Sequence, residues 1–68
     1  MQELDSKHIE AVHYESETRT LQIRFRKGGV YSYSDVPEHV YQGLIEADSA
    51  SDFFRTNVKG VFDFERLE

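Results

Sequence analysis

Apolar and polar residues alternate most regularly at the start of the segment 21–34. Three apolar residues, Leu21, Ile23 and Phe25, alternate there with the polar residues Gln22, Arg24 and Arg26. This period-two pattern predicts a strand with one apolar and one basic face. Gly28-Gly29 follows, and glycine accepts the positive φ that tight hairpin turns need. We therefore predict a β-hairpin whose second strand covers Val30–Ser34.

A further strand precedes the hairpin and a helix follows it. Residues 8–14 nearly alternate, but Ile9 and Val12 fall on opposite sides of a regular strand, so we expect a bulge to turn one of them round. The segment 36–46 is predicted to be a helix, because proline suits the first helical turn and apolar residues recur at helical spacing. Gly43 lies inside this helix, where it indicates close packing.

A second, short helix and a last strand complete the chain. The segment Ser49-Ala50-Ser51-Asp52 matches the Ser-x-x-acid start of a helix, and Gly60 ends that helix. Val61–Leu67 is the predicted final strand, with Phe62 and Phe64 on one face. The order β-β-β-α-α-β predicts an α+β fold: an antiparallel four-stranded sheet with two short helices packed on one face.

Size and composition predict one small domain. The 68 residues contain no cysteine, so packing must hold the fold without disulfide bonds. We treat 1–68 as a single domain with a folded core at about 6–66. No apolar run approaches the ~20 residues of a membrane span, and the polar start lacks the features of a signal peptide. We expect a cytoplasmic protein without membrane contact. Leu67-Glu68 either is a remnant of a cloning vector or continues the chain, since Leu67 also fits the strand pattern before it, and we assign the pair no function.

The net charge of −5 counts against a general nucleic-acid-binding protein, but the charge is distributed unevenly. Between Thr18 and Ser34 there is no Asp or Glu, and there are four cations: Arg19, Arg24, Arg26 and Lys27. Basic side chains beside aromatic ones are typical of strands that bind RNA. They are also typical of an exposed strand whose charges prevent aggregation. Both interpretations stay open.

The sequence offers no pattern that indicates catalysis. His8, His13 and His39 lack the spacing of a metal site, and no cysteine supports them. The motifs of hydrolases, phosphate-binding loops and metalloproteases do not occur. A core this thin rarely encloses a pocket of ~300 Å³ or more. We therefore predict a protein that is not an enzyme, without catalytic residues, metal, cofactor or small-molecule substrate.

An ordered set of short motifs resembles the KTSC domain family. The set comprises Leu21-x-Ile23-x-Phe25, Gly29-Val30-Tyr31-x-Tyr33, Val36-Pro37, Ala47-x-Ser49, Phe54 and Val58-Lys59-Gly60. The resemblance runs from about Ser6 to Arg66. The family is named for its occurrence at the C-terminus of some lysyl-tRNA synthetases, and it also occurs as small free-standing bacterial proteins. The resemblance implies the fold, and the synthetase context suggests RNA binding only by association. Structural roles are expected for Tyr31, Tyr33, Pro37, Ser49, Phe54 and Gly60.

The face of the sheet that Tyr31 and Tyr33 occupy depends on the length of the hairpin loop. With a two-residue loop, both rings oppose even-numbered residues on the basic face. With the three-residue loop 27–29 and a left-handed Gly29, they oppose Phe25 and Ile23 on the apolar face. We favour the apolar face, because a small core needs the ~150–250 Å² that each ring can bury.

Two functional hypotheses follow. The first is weak binding of tRNA-like RNA through the basic hairpin, with the two tyrosines contributing if they are exposed. Its candidate residues are Arg24, Arg26, Lys27, Tyr31 and Tyr33. The second is a module that binds another protein or a second copy of itself through a sheet edge or face.

Overall fold

The computed structural model describes residues 1–68 as one five-stranded antiparallel sheet and two helices. The elements in chain order are β1 (Gln2–Glu3), β2 (Ile9–Glu15), β3 (Thr20–Phe25), β4 (Gly29–Tyr33), α1 (Glu38–Glu46), α2 (Ala50–Asn57) and β5 (Phe64–Arg66). The strands lie side by side in the order β1-β2-β3-β4-β5. This confirms the α+β class, but the sheet has five strands where we predicted four. Neither helix is long and apolar enough to cross a membrane.

The additional strand is β1 at the N-terminal end. It pairs with β2 through only two residues, Gln2 opposite Val12 and Glu3 opposite Ala11. The backbone N–H of Leu4 then donates to the Glu10 carbonyl at 3.0 Å. Two residues are too few to show a period-two pattern, so the sequence contains no signal for this strand.

The last strand is shorter than predicted, because the turn after α2 extends further. Gly60 has a φ of 79°, and the N–H groups of Val61 and Phe62 both donate to the Val58 carbonyl. Strand pairing therefore begins only at Phe64. The prediction that both phenylalanines share one face of a strand is wrong: Phe62 packs against the core from the turn.

A three-residue loop, Arg26-Lys27-Gly28, connects β3 to β4. Gly29 opposes Phe25 and has a φ of 81°, the left-handed conformation that favours glycine. The expected loop length and conformation are therefore confirmed, although the loop begins one residue earlier than predicted. Consequently Tyr31 opposes Ile23 and Tyr33 opposes Leu21. Each partner lies two residues before the expected one in β3, so both tyrosines still lie on the favoured apolar face.

The core lies between this apolar face and the helices. The register of β2 on β3 shifts between Ile9 and Ala11, which confirms the predicted bulge and brings both Ile9 and Val12 into the core. The other members of the core cluster are Leu21, Ile23, Tyr33, Val36, Leu44, Ala50 and Val58. Gly43 of α1 lies directly against the Phe53 ring of α2, as its position in a helix indicated.

Candidate functional site

A half-open groove of about 500 Å³ lies where the β3–β4 loop, the end of α2 and β5 meet. Its size is within the ~300–1,000 Å³ range of ligand sites in proteins. We expected that so thin a core would rarely enclose a pocket of ~300 Å³ or more, and a half-open groove does not contradict that expectation. The groove forms between elements at one margin of the core, so its volume does not have to be enclosed by the core itself.

Five aromatic rings form the floor and walls of the groove. They contact one another in a closed circuit, with neighbouring ring centroids 5.3–5.7 Å apart. In order round the circuit they are Phe25, Tyr31, Phe64, Tyr33 and Phe54, and we call them the aromatic circuit. Three of the five pairs are edge-on, a favoured geometry for aromatic contacts, and the other two are tilted. The circuit presents ring faces and edges to whatever enters the groove.

Strand register and one helix bring the circuit together. The three-residue loop places Tyr31 and Tyr33 on the helix side of β4, and β5 pairs so that Phe64 stands directly opposite Tyr33. From above the sheet, α2 supplies Phe54, whose centroid lies 5.3 Å from that of Phe25. Each ring is thus held by a regular element or its end, and the groove is largely preformed.

The rim of the groove is positively charged. Four of the eight Lys and Arg residues line it, and none of the thirteen Asp and Glu residues does. Lys7 comes from the segment before β2, Arg26 and Lys27 from the hairpin loop, and Lys59 from the turn after α2. The protein's one ion pair, between Arg55 and Asp52, lies outside the groove. The three rim lysines therefore have no carboxylate partner.

Tyr33 is the most buried member of the aromatic circuit, with 4% of its surface exposed. Burial, with a smaller effect from the neighbouring Tyr31 hydroxyl, raises the pKa of Tyr33 to about 12. Tyr31 is only half-buried, and the Arg66 guanidinium carbon lies 5.7 Å from its ring centroid, within reach of a cation–π contact.

Comparison with known proteins assigns the chain to a family. The sequence model of the KTSC domain matches residues 5–62. The chain belongs to the KTSC domain family. This confirms the resemblance seen in the sequence motifs, which covered nearly the same residues.

Relatives of this KTSC domain occur both inside large enzymes and as small proteins. It is 42% identical over 59 residues to a lysine–tRNA ligase of Nostoc punctiforme; the match covers 87% of this chain and 10% of the ligase. It is 37% identical over 62 residues to a protein of Tsukamurella paurometabola, covering 91% and 92% of the two chains. The crystal structure of a KTSC domain protein from Yersinia pestis superposes with a TM-score of 0.97 at 34% identity, covering 98% and 94%.

The KTSC domain does not gather all five candidate RNA-binding residues on one surface. Arg26, Lys27, Tyr31 and Tyr33 line the groove. Arg24 lies outside it, exposed on the opposite face of the sheet. The prediction of one continuous basic face is therefore wrong, because β3 ends at Phe25 and Arg26 lies in the loop, where strand alternation no longer applies.

Arg26 also has a structural task in the KTSC domain. Its Nε donates to the Ser6 carbonyl at 2.6 Å, and its Nη2 donates to the Leu4 carbonyl at 2.9 Å. These bonds attach the N-terminal segment to the hairpin loop. The guanidinium is consequently committed to backbone acceptors on one side, and only its remaining N–H groups are available to a ligand.

Sequence reasoning gave no binding role to six other groove residues, which are Lys7, His8, Phe25, Gly28, Lys59 and Phe64. Lys7 and Lys59 are far apart in the chain, and only the fold brings them to the same rim. Of the expected structural positions, Ser49 begins α2 by accepting a hydrogen bond from the Asp52 N–H at 3.2 Å, and Pro37 occupies the N-cap position of α1.

Proposed function

We propose that this KTSC domain is a binding module for single-stranded RNA, and that the groove is its binding site. The observation that carries this proposal is the composition of the groove: an aromatic floor surrounded by cations, without any carboxylate, in a protein of net charge −5. The match to a segment of a lysine–tRNA ligase is consistent with an RNA context.

The chemistry of RNA suits both parts of the groove. An unpaired base has a flat face that stacks on aromatic side chains, which contributes ~1–3 kcal/mol per base. The adjacent phosphates require cations, and Lys7, Lys27 and Lys59 are free of carboxylate partners. A base inside a duplex could not reach the circuit without leaving its stack. The groove therefore favours single strands over duplexes.

Charge reversal at the rim tests the proposal. We expect Lys27→Glu combined with Lys59→Glu to weaken binding of an unstructured RNA oligonucleotide without lowering the melting temperature, since neither side chain makes a hydrogen bond or ion pair within the protein. With three or four phosphate contacts at ~0.7 per contact, log K for the unmodified protein should fall with log salt at a slope of about −2 to −3. The double variant should lose about 1.4 of that slope.

Arg24→Glu is the matched control, because it reverses one charge of the same hairpin on the face away from the groove. We expect this variant to bind RNA almost as tightly as the unmodified protein. Amide shifts during the titration should cluster at the hairpin loop, β4 and β5. If Arg24→Glu is the damaging change, or the shifts lie on the open face of the sheet, the binding site is elsewhere.

A protein partner or self-association remains the alternative outcome of the same experiment. If no RNA oligonucleotide binds even at low salt, RNA binding is refuted for this domain. Sedimentation at several protein concentrations then distinguishes a second copy of the chain from a foreign partner.

A further inference from the structure

Two of the four tyrosines, Tyr31 and Tyr33, have hydroxyls that make no hydrogen bond within the protein, and Tyr33 is the more buried of the two. The Tyr14 hydroxyl donates to the Val36 carbonyl at 2.6 Å, and the Tyr41 hydroxyl donates to Gln2 at 3.1 Å. The Tyr33 hydroxyl bonds to no other group of the protein, although only 4% of the residue's surface is exposed. Buried hydroxyls are nearly always hydrogen-bonded, so an unbonded one calls for an explanation.

The position of this hydroxyl supplies the explanation. No side-chain oxygen or nitrogen without a partner is sealed inside the protein, so the Tyr33 hydroxyl keeps a small accessible surface. Tyr33 lines the groove, where Phe54 and Phe64 flank its ring at 5.7 and 5.6 Å. These apolar rings cannot serve as hydrogen-bond partners of ordinary strength, so the tyrosine hydroxyl is left as a free donor in the groove.

We propose that the Tyr33 hydroxyl is the specificity-determining donor of the groove, and that it bonds to an acceptor on the edge of an unpaired nucleobase. This inference rests on the proposed RNA-binding function and names which part of the RNA enters. A phosphate at this position would be surrounded by aromatic rings and would lose its hydration, which is costly for an isolated anion. A neutral base carries carbonyl and ring-nitrogen acceptors on its edge and stacking faces for the flanking rings. The phosphates then remain at the cationic rim.

The test compares two tyrosine-to-phenylalanine variants on two probes. The probes are a short oligouridylate and a ribose-phosphate oligonucleotide of equal length without bases. We expect Tyr33→Phe to weaken oligouridylate binding by about 3- to 10-fold, the effect of one lost hydrogen bond, while its melting temperature stays unchanged or rises. The control Tyr14→Phe should lower the melting temperature and leave oligouridylate binding unchanged, because the Tyr14 hydroxyl bonds to the fold outside the groove. The abasic probe should bind weakly to all three proteins, and its affinity for Tyr33→Phe should equal its affinity for the unmodified protein.

Each contrary result identifies what has failed. If the unmodified protein binds the oligouridylate and Tyr33→Phe binds it equally, the hydroxyl does not select the ligand, and RNA binding itself still stands. The same conclusion follows if Tyr33→Phe lowers the melting temperature as much as Tyr14→Phe does, because the hydroxyl would then belong to the fold. Equal affinity for the abasic probe would show that only phosphates are bound. If the unmodified protein binds neither probe, the proposed function fails and this inference fails with it.

Discussion

Arg26 provides a sharp test of whether a cation in the basic hairpin serves the fold. Its guanidinium holds the carbonyls of Leu4 and Ser6, and the Arg26 backbone N–H donates to the His8 carbonyl, so this residue helps to attach the N-terminal segment to the hairpin loop. We expect Arg26→Met, which keeps the apolar stem and the backbone bond but removes every side-chain donor, to loosen this segment. Arg24→Met is the matched control, because Arg24 is also exposed and its side chain makes no hydrogen bond.

The magnitude follows from the two hydrogen bonds. A hydrogen bond to a charged group contributes about 1.5–3 kcal/mol in mutational series. Both bonds here are exposed to solvent, and part of their energy is used to order a segment of six residues, so we expect a total loss of about 1–2 kcal/mol in the free energy of unfolding. For a domain of this size, that lowers Tm by about 5–15 °C.

Thermal melting and amide hydrogen exchange measure the two consequences separately. In Arg26→Met the Leu4 amide, which donates to the Glu10 carbonyl, should exchange faster together with the amides of β1. Arg24→Met should change neither Tm nor these exchange rates. If both variants have the same melting temperature as the unmodified protein, Arg26 does not stabilise the N-terminal segment and the reasoning is refuted. If the prediction holds, reversing Arg26 is unsuitable as a test of RNA binding, because it also alters the fold.

Two further predictions concern helix packing and alkaline pH. Gly43→Ala gains about 1 kcal/mol in helix propensity, but its Cβ would lie 2.6 Å from the Phe53 ring, and such overpacking costs about 1–3 kcal/mol. Denaturant unfolding should therefore show that Gly43→Ala has a lower free energy of unfolding than the unmodified protein. Adding Phe53→Leu should relieve this overpacking in the double variant. A Gly43→Ala variant that is more stable than the unmodified protein would contradict this packing. The raised pKa of Tyr33, about 12 against an ordinary 10.0, means that the unfolded chain loses this proton first. Its contribution to stability, fully present below about pH 10, is lost as the pH rises towards 12, and this part of the pH dependence should vanish in Tyr33→Phe.

The groove gives the charge pattern of the sequence a different meaning from the one that the alternation suggested. The cation-rich segment between Thr18 and Ser34 contributes Arg26 and Lys27 to the rim, and it directs Arg24 to the other side of the sheet. The rest of the rim comes from Lys7 and Lys59, which lie outside that segment. A local density of charge along the chain was therefore a guide to part of the site only.

Most local elements could be predicted from the sequence, and the apolar side of the sheet was favoured for the two tyrosines. Period-two alternation in β3, the left-handed glycine that begins β4 and the opposite parity of Ile9 and Val12 act between neighbouring residues or adjacent strands, so they are visible in the chain. The length of the hairpin loop was left open by the sequence, and the three-residue loop of the structure places Tyr31 and Tyr33 on the apolar face.

The fifth strand and the groove became visible only in the folded structure. The two-residue β1 forms only by pairing with β2, and β5 starts late because the turn at Gly60 extends to Phe62. The aromatic circuit closes because α2 and β5 meet over the same strand pair, which brings Phe54 and Phe64 to the tyrosines. Periodicity specifies which face of an element is apolar, but it does not specify which other element covers that face. For this reason the unbonded Tyr33 hydroxyl could not be recognised before the fold was known.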